Sequence, residues 1–381
     1  MFNDRDDQLD RLLRTSIESL DISDEEYRLA VSRYSAVGDF LADYWGESIA
    51  GGAVYPQGSM RLGTVTRNIH RNDEIDIDLV ARRDLAKAST SQADLKADAG
   101  HGLDLFVKSA PEGLPSKEEG KRCWTLLYPR FHLDMLPALP DEESGDTGII
   151  ITDTEVREWQ FSDPIGYANW FHTIMRTEWV ETREAMVKAI DVDDVPDWKV
   201  KTTLQRTVQA LKRHRDIYFA DNLDDRPASV IITTLAALSY RGSGSLYEVL
   251  LDVSATMPTM VGQSNGIYIV SNPVQLKENF ADRWQRHPRR AERFFEWIAQ
   301  VQADLSGLGV ERGIDSVLEK MAKAFGERAA TAAERSTGTN LFDTRTRGEL
   351  GMSAGTGALV LGAGRTVRPH NFHGDPPQRQ P

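Results

Sequence analysis

Ile75, Ile77 and Leu79 alternate with Asp76 and Asp78. Side chains on a strand alternate between faces, so a strand here puts both carboxylates on one side and the aliphatic groups on the other. Two carboxylates that close repel strongly unless a cation lies between them. A ligand set made only of oxygen suits a hard divalent ion, Mg²⁺ first. Upstream, Gln57-Gly58-Ser59 reads as a turn running into a short helix. Exposed backbone N–H groups and a hydroxyl at such a turn make an anion site. A solvated strand edge explains the aspartates poorly, because Asp is depleted in strands. Ser59 also suits a cap of the following turn, with the same local geometry. A phosphate cradle beside a carboxylate pair is the arrangement expected for a triphosphate with its divalent ion.

Gly-Ser followed by a hydrophobic–Asp–hydrophobic–Asp strand resembles the nucleotidyltransferase superfamily of DNA polymerase β. That family uses a third carboxylate on a neighbouring strand, and Asp134 supplies one in an apolar strand expected to end at Pro137. The run Leu133-Asp134-Met135-Leu136-Pro137-Ala138, with residues 205–240, narrows the likeness. The chain resembles the bacterial cyclic-oligonucleotide synthases related to cyclic GMP-AMP synthase, the CD-NTases of anti-phage CBASS operons. The resemblance spans residues 55–284. One departure is the stretch between Ser59 and Asp76, which is longer than the minimal signature and reads as a basic loop with Arg67, His70 and Arg71.

The resemblance implies the following chemistry. Asp76, Asp78 and Asp134 hold two Mg²⁺ ions, with Mn²⁺ a substitute, and Asp134 is the base nearest the attacking hydroxyl. Gln57, Gly58 and Ser59, with Lys212 and Ser229 from the helical lobe, hold the donor triphosphate. ATP, GTP or both are joined into a cyclic di- or trinucleotide messenger with release of pyrophosphate. Rival readings are a linear oligonucleotide-adding or tRNA-end enzyme, a protein-modifying nucleotidyltransferase, and a non-catalytic nucleotide-sensing protein. Arg61 and Arg67 suit triphosphate or solvent equally. Arg213 and Arg215 read as a solvated helix face, as most basic runs do. His132 shares a face with Asp134 and reads as an ordinary polar residue. Phe280 and Trp284 read as an i,i+4 packing pair.

Bulk properties limit the partners. With 58 acidic and 45 basic residues, the net charge is −13. A dedicated duplex binder is usually basic, so long nucleic acid is not an expected obligate partner. The single cysteine, Cys123, excludes an intramolecular disulfide and a multi-cysteine zinc site. The charged start and the lack of a long apolar run predict a cytoplasmic protein with no membrane segment.

The expected fold class is α/β (α+β): a polymerase-β-like lobe with a mixed sheet plus a C-terminal helical lobe. Residues 1–50 read as bracing helices, the second capped by the Ser23-Asp24-Glu25-Glu26 box and stopped by Gly46. Residues 51–164 read as the catalytic core, with a helix over 94–107, an exposed loop over 113–120 and strands over 124–128, 131–136 and 148–152. Residues 165–345 read as the helical lobe, including one long helical run to Ile190, a second over 199–219, a helix capped by Ser229, and another over 276–284. Residues 346–381 read as a tail that is flexible or ordered by contacts. In many CBASS operons a ubiquitin-transfer-like partner handles the synthase C-terminus, so such a partner is a further expectation, with Gly374 a suitable end after trimming.

Overall fold

The computed structural model describes residues 4–47, 53–67, 69, 75–111, 115–154, 158–190, 196–242, 244–352, 359–361 and 365–366. The chain opens with α1 (Asp4–Glu18) and α2 (Asp24–Trp45). Ser23 and Glu26 form the expected reciprocal capping box on α2, and Gly46 ends it at φ 66°. Then come β1 (Val54–Pro56), α3 (Gly58–Leu62), β2 (Ile75–Arg82), α4 (Gln92–Ser109), β3 (Ser116–Glu119), β4 (Trp124–Tyr128), β5 (Phe131–Pro140), β6 (Ile149–Ile151) and β7 (Gln160–Ser162).

The sheet runs β1-β2-β5-β4-β3, with β6 and β7 continuing from the far end of β5. Among the described residues only β2 and β5 pair in parallel; the other pairs of this sheet are antiparallel. A parallel pair needs a long crossover, and α4 with β3 and β4 provides it. Ile75, Ile77, Leu79 and Ala81 on one face of β2 pack with Leu103 of α4 and Val37 and Leu41 of α2. Val80, on the opposite face, joins Tyr55, Ala138, Ile149 and Ile151. Asp76 and Asp78 share that second face but precede its apolar part.

Two expectations change here. Residues 116–119 are not a loop but the edge strand β3, paired with β4. A polar Ser-Lys-Glu-Glu run carries no period-2 apolar signal, and charged residues are what an edge strand tolerates. Likewise β5 continues through Pro137 to Pro140. Pro137 falls where the β4 ladder has ended, at Met135, and that of β6 begins, at Ala138. A strand accepts proline where no neighbour needs its N–H.

The helical part comprises α5 (Pro164–Ile174), α6 (Arg176–Ile190), α7 (Thr203–Tyr218), α8 (Ser229–Ser239), α9 (Leu246–Thr256), the hairpin β8 (Gly262–Ser264) and β9 (Ile267–Ile269), α10 (Asp282–Arg286), α11 (Pro288–Val310), α12 (Ile314–Phe325) and α13 (Glu327–Thr346). The single run expected to Ile190 is broken at Met175 into α5 and α6. The helix expected over 276–284 is mostly loop, and only α10 forms within it. Phe280 meets Tyr167, whereas Trp284 meets Tyr268 and Phe294, so the two rings anchor to different neighbours. Leu9, Leu12, Leu13, Ile17 and Leu20, from α1 and the turn after it, belong to the core of the helical part. Helix α2 belongs to the core of the sheet, so the two N-terminal helices serve different lobes.

Near the end, β10 (Leu350–Met352) pairs antiparallel with β11 (Leu359–Leu361) and β12 (Arg365–Thr366). The rest of the tail, including Gly374, lies outside the described residues, as do His70 and Arg71 of the basic loop. Among the described residues, no helix is long and apolar enough to cross a membrane.

Candidate active site

A cleft of about 1070 Å³ lies between the sheet and the helices. Gln57, Gly58, Ser59, Asp76, Asp78, Asp134, Lys212 and Ser229 all line it. The fold therefore brings together every site residue expected from the sequence.

Its floor is set by strand register. Asp78 is the Cα partner of Asp134, and Asp76 is that of His132. Partners in register point to the same side, so three carboxylates line the floor, and the His132 imidazole shares their sheet face. Asp76 is largely exposed, with its Oδ1 3.6 Å from His132 Nδ1. Asp134 Oδ1 accepts a 2.5 Å bond from Thr125 Oγ1 on the neighbouring strand. Burial pushes the Asp78 carboxyl up to about 6, Asp134 and Asp76 push it the same way, and Lys212 opposes them. Three carboxylates thus face this part of the cleft, and Lys212 is the cation that opposes their effect on Asp78. Among the described residues, no three His, Cys, Asp or Glu side chains already form a gathered ion-holding group.

Above the floor sits the turn at Gly58. Its φ of 56° lies in the left-handed region, and a Cβ there would meet the Asp78 carboxylate. Glycine is required on both counts. The Gln57 N–H donates 2.8 Å to Asp78 O, tying the turn to β2. Arg61 lies over the Tyr55 ring at the cleft wall, whereas Arg67 turns away to Glu26 at 2.9 Å. Arg67 is therefore a structural ion pair in this arrangement.

The wall opposite is α7, and it differs most from expectation. Thr202 and Gln205 form a capping box that starts it, and residues 203–205 and 207–215 are all buried. Its polar side chains satisfy the backbone of the irregular segment after α3. Gln205 Nε2 donates to Leu62 O at 2.9 Å, and Gln209 Nε2 to Val65 O at 2.8 Å. Lys212 Nζ reaches Thr64 O at 3.2 Å and Thr64 Oγ1 at 3.1 Å, and Arg213 donates to Arg67 O. Buried backbone carbonyls need such partners. The basic run is thus not a solvated face: Arg213 and Arg215 are 2% and 7% exposed. Burial drives the Lys212 ammonium down to about 7, Arg215 adds to the effect, and Asp78 opposes it.

Ser229 is the first residue of α8, and Ala228 occupies the cap position without a side-chain bond. The expected serine cap is not made, because Ser229 falls one residue past the cap position; its hydroxyl accepts from Arg215 at 2.8 Å. Glu278 also lines the cleft and was missed by sequence reasoning. It accepts from Asn272 Nδ2 at 2.7 Å and Ser162 Oγ at 3.3 Å, and burial pushes its carboxyl up to about 7. The Asn272-Pro273 turn signal beside it was the available hint.

A mixed sheet with register-aligned aspartates, a glycine turn above them and a helical wall defines a nucleotidyltransferase. No protein-family model matches the chain. Among curated proteins, a c-di-GMP synthase of Roseivirga ehrenbergii is 29% identical over 381 residues, covering 97% of this chain and 98% of that protein. The cyclic dinucleotide synthase CdnG of Bradyrhizobium diazoefficiens is 25% identical over 360 residues, covering 85% and 82%. Among solved structures, the CD-NTase CdnG of Bradyrhizobium diazoefficiens in complex with GTP superposes with a TM-score of 0.69 at 20% identity, covering 87% of this chain and 99% of that one. The Vibrio cholerae cyclic AMP-GMP synthase DncV, with nonhydrolyzable GTP, superposes at 0.60 and 13% identity, covering 83% and 94%. Over most of its length the chain is thus similar to the cyclic GMP-AMP synthase-like nucleotidyltransferases, the CD-NTases.

Proposed function

We propose that this chain joins nucleoside triphosphates into a cyclic dinucleotide, with GTP among its substrates, and releases pyrophosphate. The observation that carries the reading is the pairing of Asp78 with Asp134 at the floor of a cleft whose other wall presents Lys212 and Ser229. Curated relatives that match 97% and 85% of this chain are named as cyclic dinucleotide synthases. A larger ring, or ATP as co-substrate, is compatible with the same floor.

The residues divide the work. The turn at Gly58 and Ser59 offers backbone N–H groups and a hydroxyl to phosphate oxygens. Lys212 exchanges its Thr64 partners for the triphosphate, because a buried ammonium gains more from an anion than from a neutral carbonyl. Ser229 adds a hydroxyl from the start of α8. Asp76, Asp78 and Asp134 fit magnesium: all are hard oxygen donors, and the charges of Asp76 and Asp134 already raise the Asp78 carboxyl. Bound there, magnesium supplies neutralisation of phosphate charge and a more acidic acceptor hydroxyl. Asp134 accepts that hydroxyl's proton, with Thr125 holding its Oδ1. A second transfer at the same site closes the ring.

An anti-phage signalling role of the CBASS kind follows from the same family reading. A CdnC relative from Escherichia coli was solved as a complex with a HORMA protein, and we extend to this chain the idea of a regulatory protein partner, including a ubiquitin-transfer-like one at the tail. The test is incubation with each labelled triphosphate and Mg²⁺, followed by mass spectrometry of phosphatase-resistant products. A cyclic product that disappears with Asp78→Asn supports the reading. A linear product, a labelled protein or no product overturns it.

A further inference from the structure

Arg215 lies one turn beyond Lys212 on α7 and is 7% exposed at the cleft wall. Its Nε and Nη2 donate to Asp216 Oδ1 at 2.8 and 2.6 Å. Its Nη1 donates to Pro227 O at 3.2 Å and to Ser229 Oγ at 2.8 Å. The guanidinium is thereby clamped on three sides by Asp216, the residue before Ala228, and Ser229. Arg226 also reaches Asp216, at 3.4 Å.

The direction of the last bond matters. Arginine has five donors and no acceptor, so Ser229 Oγ can only accept from it. A hydroxyl that accepts on one lone pair keeps its own proton to give. Among the described residues the Ser229 hydroxyl makes no other hydrogen bond. Ser229 follows the cap position, so its oxygen makes no bond to a backbone N–H of the first turn, and Arg215 is the donor that holds it.

We propose that Arg215 is a positioning residue for the triphosphate site: it fixes the Ser229 hydroxyl so that its proton faces a phosphate oxygen in the cleft. This rests on the reading of Ser229 as a phosphate ligand. Arg215 acts through Ser229, and Asp216 holds Arg215 in turn.

A double-mutant cycle tests this with the full chain, Mg²⁺ and a nonhydrolysable GTP analogue, read as equilibrium affinity. R215K keeps a cation against Asp216, and R215Q is the second variant should R215K not fold. S229A is expected to weaken binding about tenfold, the scale of one charge-assisted hydrogen bond. The arginine variant is expected to match it within about threefold, and the double variant to be no weaker than the worse single variant. A merely structural arginine would not show this coupling. If the two losses multiply, Arg215 acts independently of Ser229 and the proposal is wrong, while the phosphate reading stands. If S229A binds like the unmutated chain, the phosphate reading of Ser229 fails, and the proposal fails with it.

Discussion

Asp78 on β2 and Asp134 on β5 are Cα partners in a parallel pair of the main sheet. They come from segments 56 residues apart, yet register makes them neighbours on one face. Both lie beside Asp76, so folding concentrates negative charge that function must use. Asp78→Asn removes one charge from a site where burial and two like neighbours already hold its carboxyl up to about 6. Product formation is expected to fall by at least about a hundredfold, while the melting temperature stays level or rises. A folded variant with unreduced synthesis would remove Asp78 from the chemistry.

Gly58→Ala tests the turn above the floor. A side chain at φ 56° costs about 1–2 kcal/mol, and its Cβ would displace the Asp78 carboxylate. The expected result is a modest drop in denaturant midpoint with a disproportionate loss of turnover. Equal, small losses in both would mean that the turn does not govern the carboxylate.

Lys212→Ala should weaken triphosphate binding about ten- to a hundredfold, since a charge-assisted contact is worth about 1.5–3 kcal/mol. Stability should change little. The bonds to Thr64 are lost, but so is the cost of a buried ammonium. Calorimetric titration with the GTP analogue reads the affinity, and an unchanged value would assign Lys212 to the seam alone.

Glu278 gives a pH dependence with a definite sign. Its carboxyl ionises near 4.5 in the unfolded chain and near 7 in the folded one, because burial disfavours the charge. Between those values the folded state holds more protons. Its contribution to stability is therefore complete below pH 4.5 and lost as pH rises through about 7. Glu278→Gln removes the loss, so the variant should gain on the parent between pH 5 and pH 8, by at most about 3 kcal/mol. Thermal melts of both proteins across that range measure it, and parallel curves would contradict the assigned cause.

Much of this was written locally. The alternation of Ile75, Asp76, Ile77, Asp78 and Leu79 determines a strand with its acids on one side, because strand geometry repeats every two residues. Ser23 with Glu26, and Gly46, set the limits of α2 by bonds within a few residues. The glycine before Ser59 marks a backbone that only glycine adopts cheaply. The tertiary structure decided what distance in sequence conceals. Lys212, Arg213 and Arg215 look like a wet basic face until the segment 62–67 is laid against α7 and its carbonyls need donors. Ser229 looks like a helix cap until the helix starts at it with Ala228 as the cap, and Arg215, fourteen residues earlier, donates to its oxygen. Residues 276–284 carry helical spacing, yet Gln275, Lys277 and Glu278 bond to Ser144, Glu143 and Ser162 across the cleft, which holds most of that stretch as loop. Short-range preference is set by a residue and its near neighbours; which polar groups are buried together depends on how the two lobes meet.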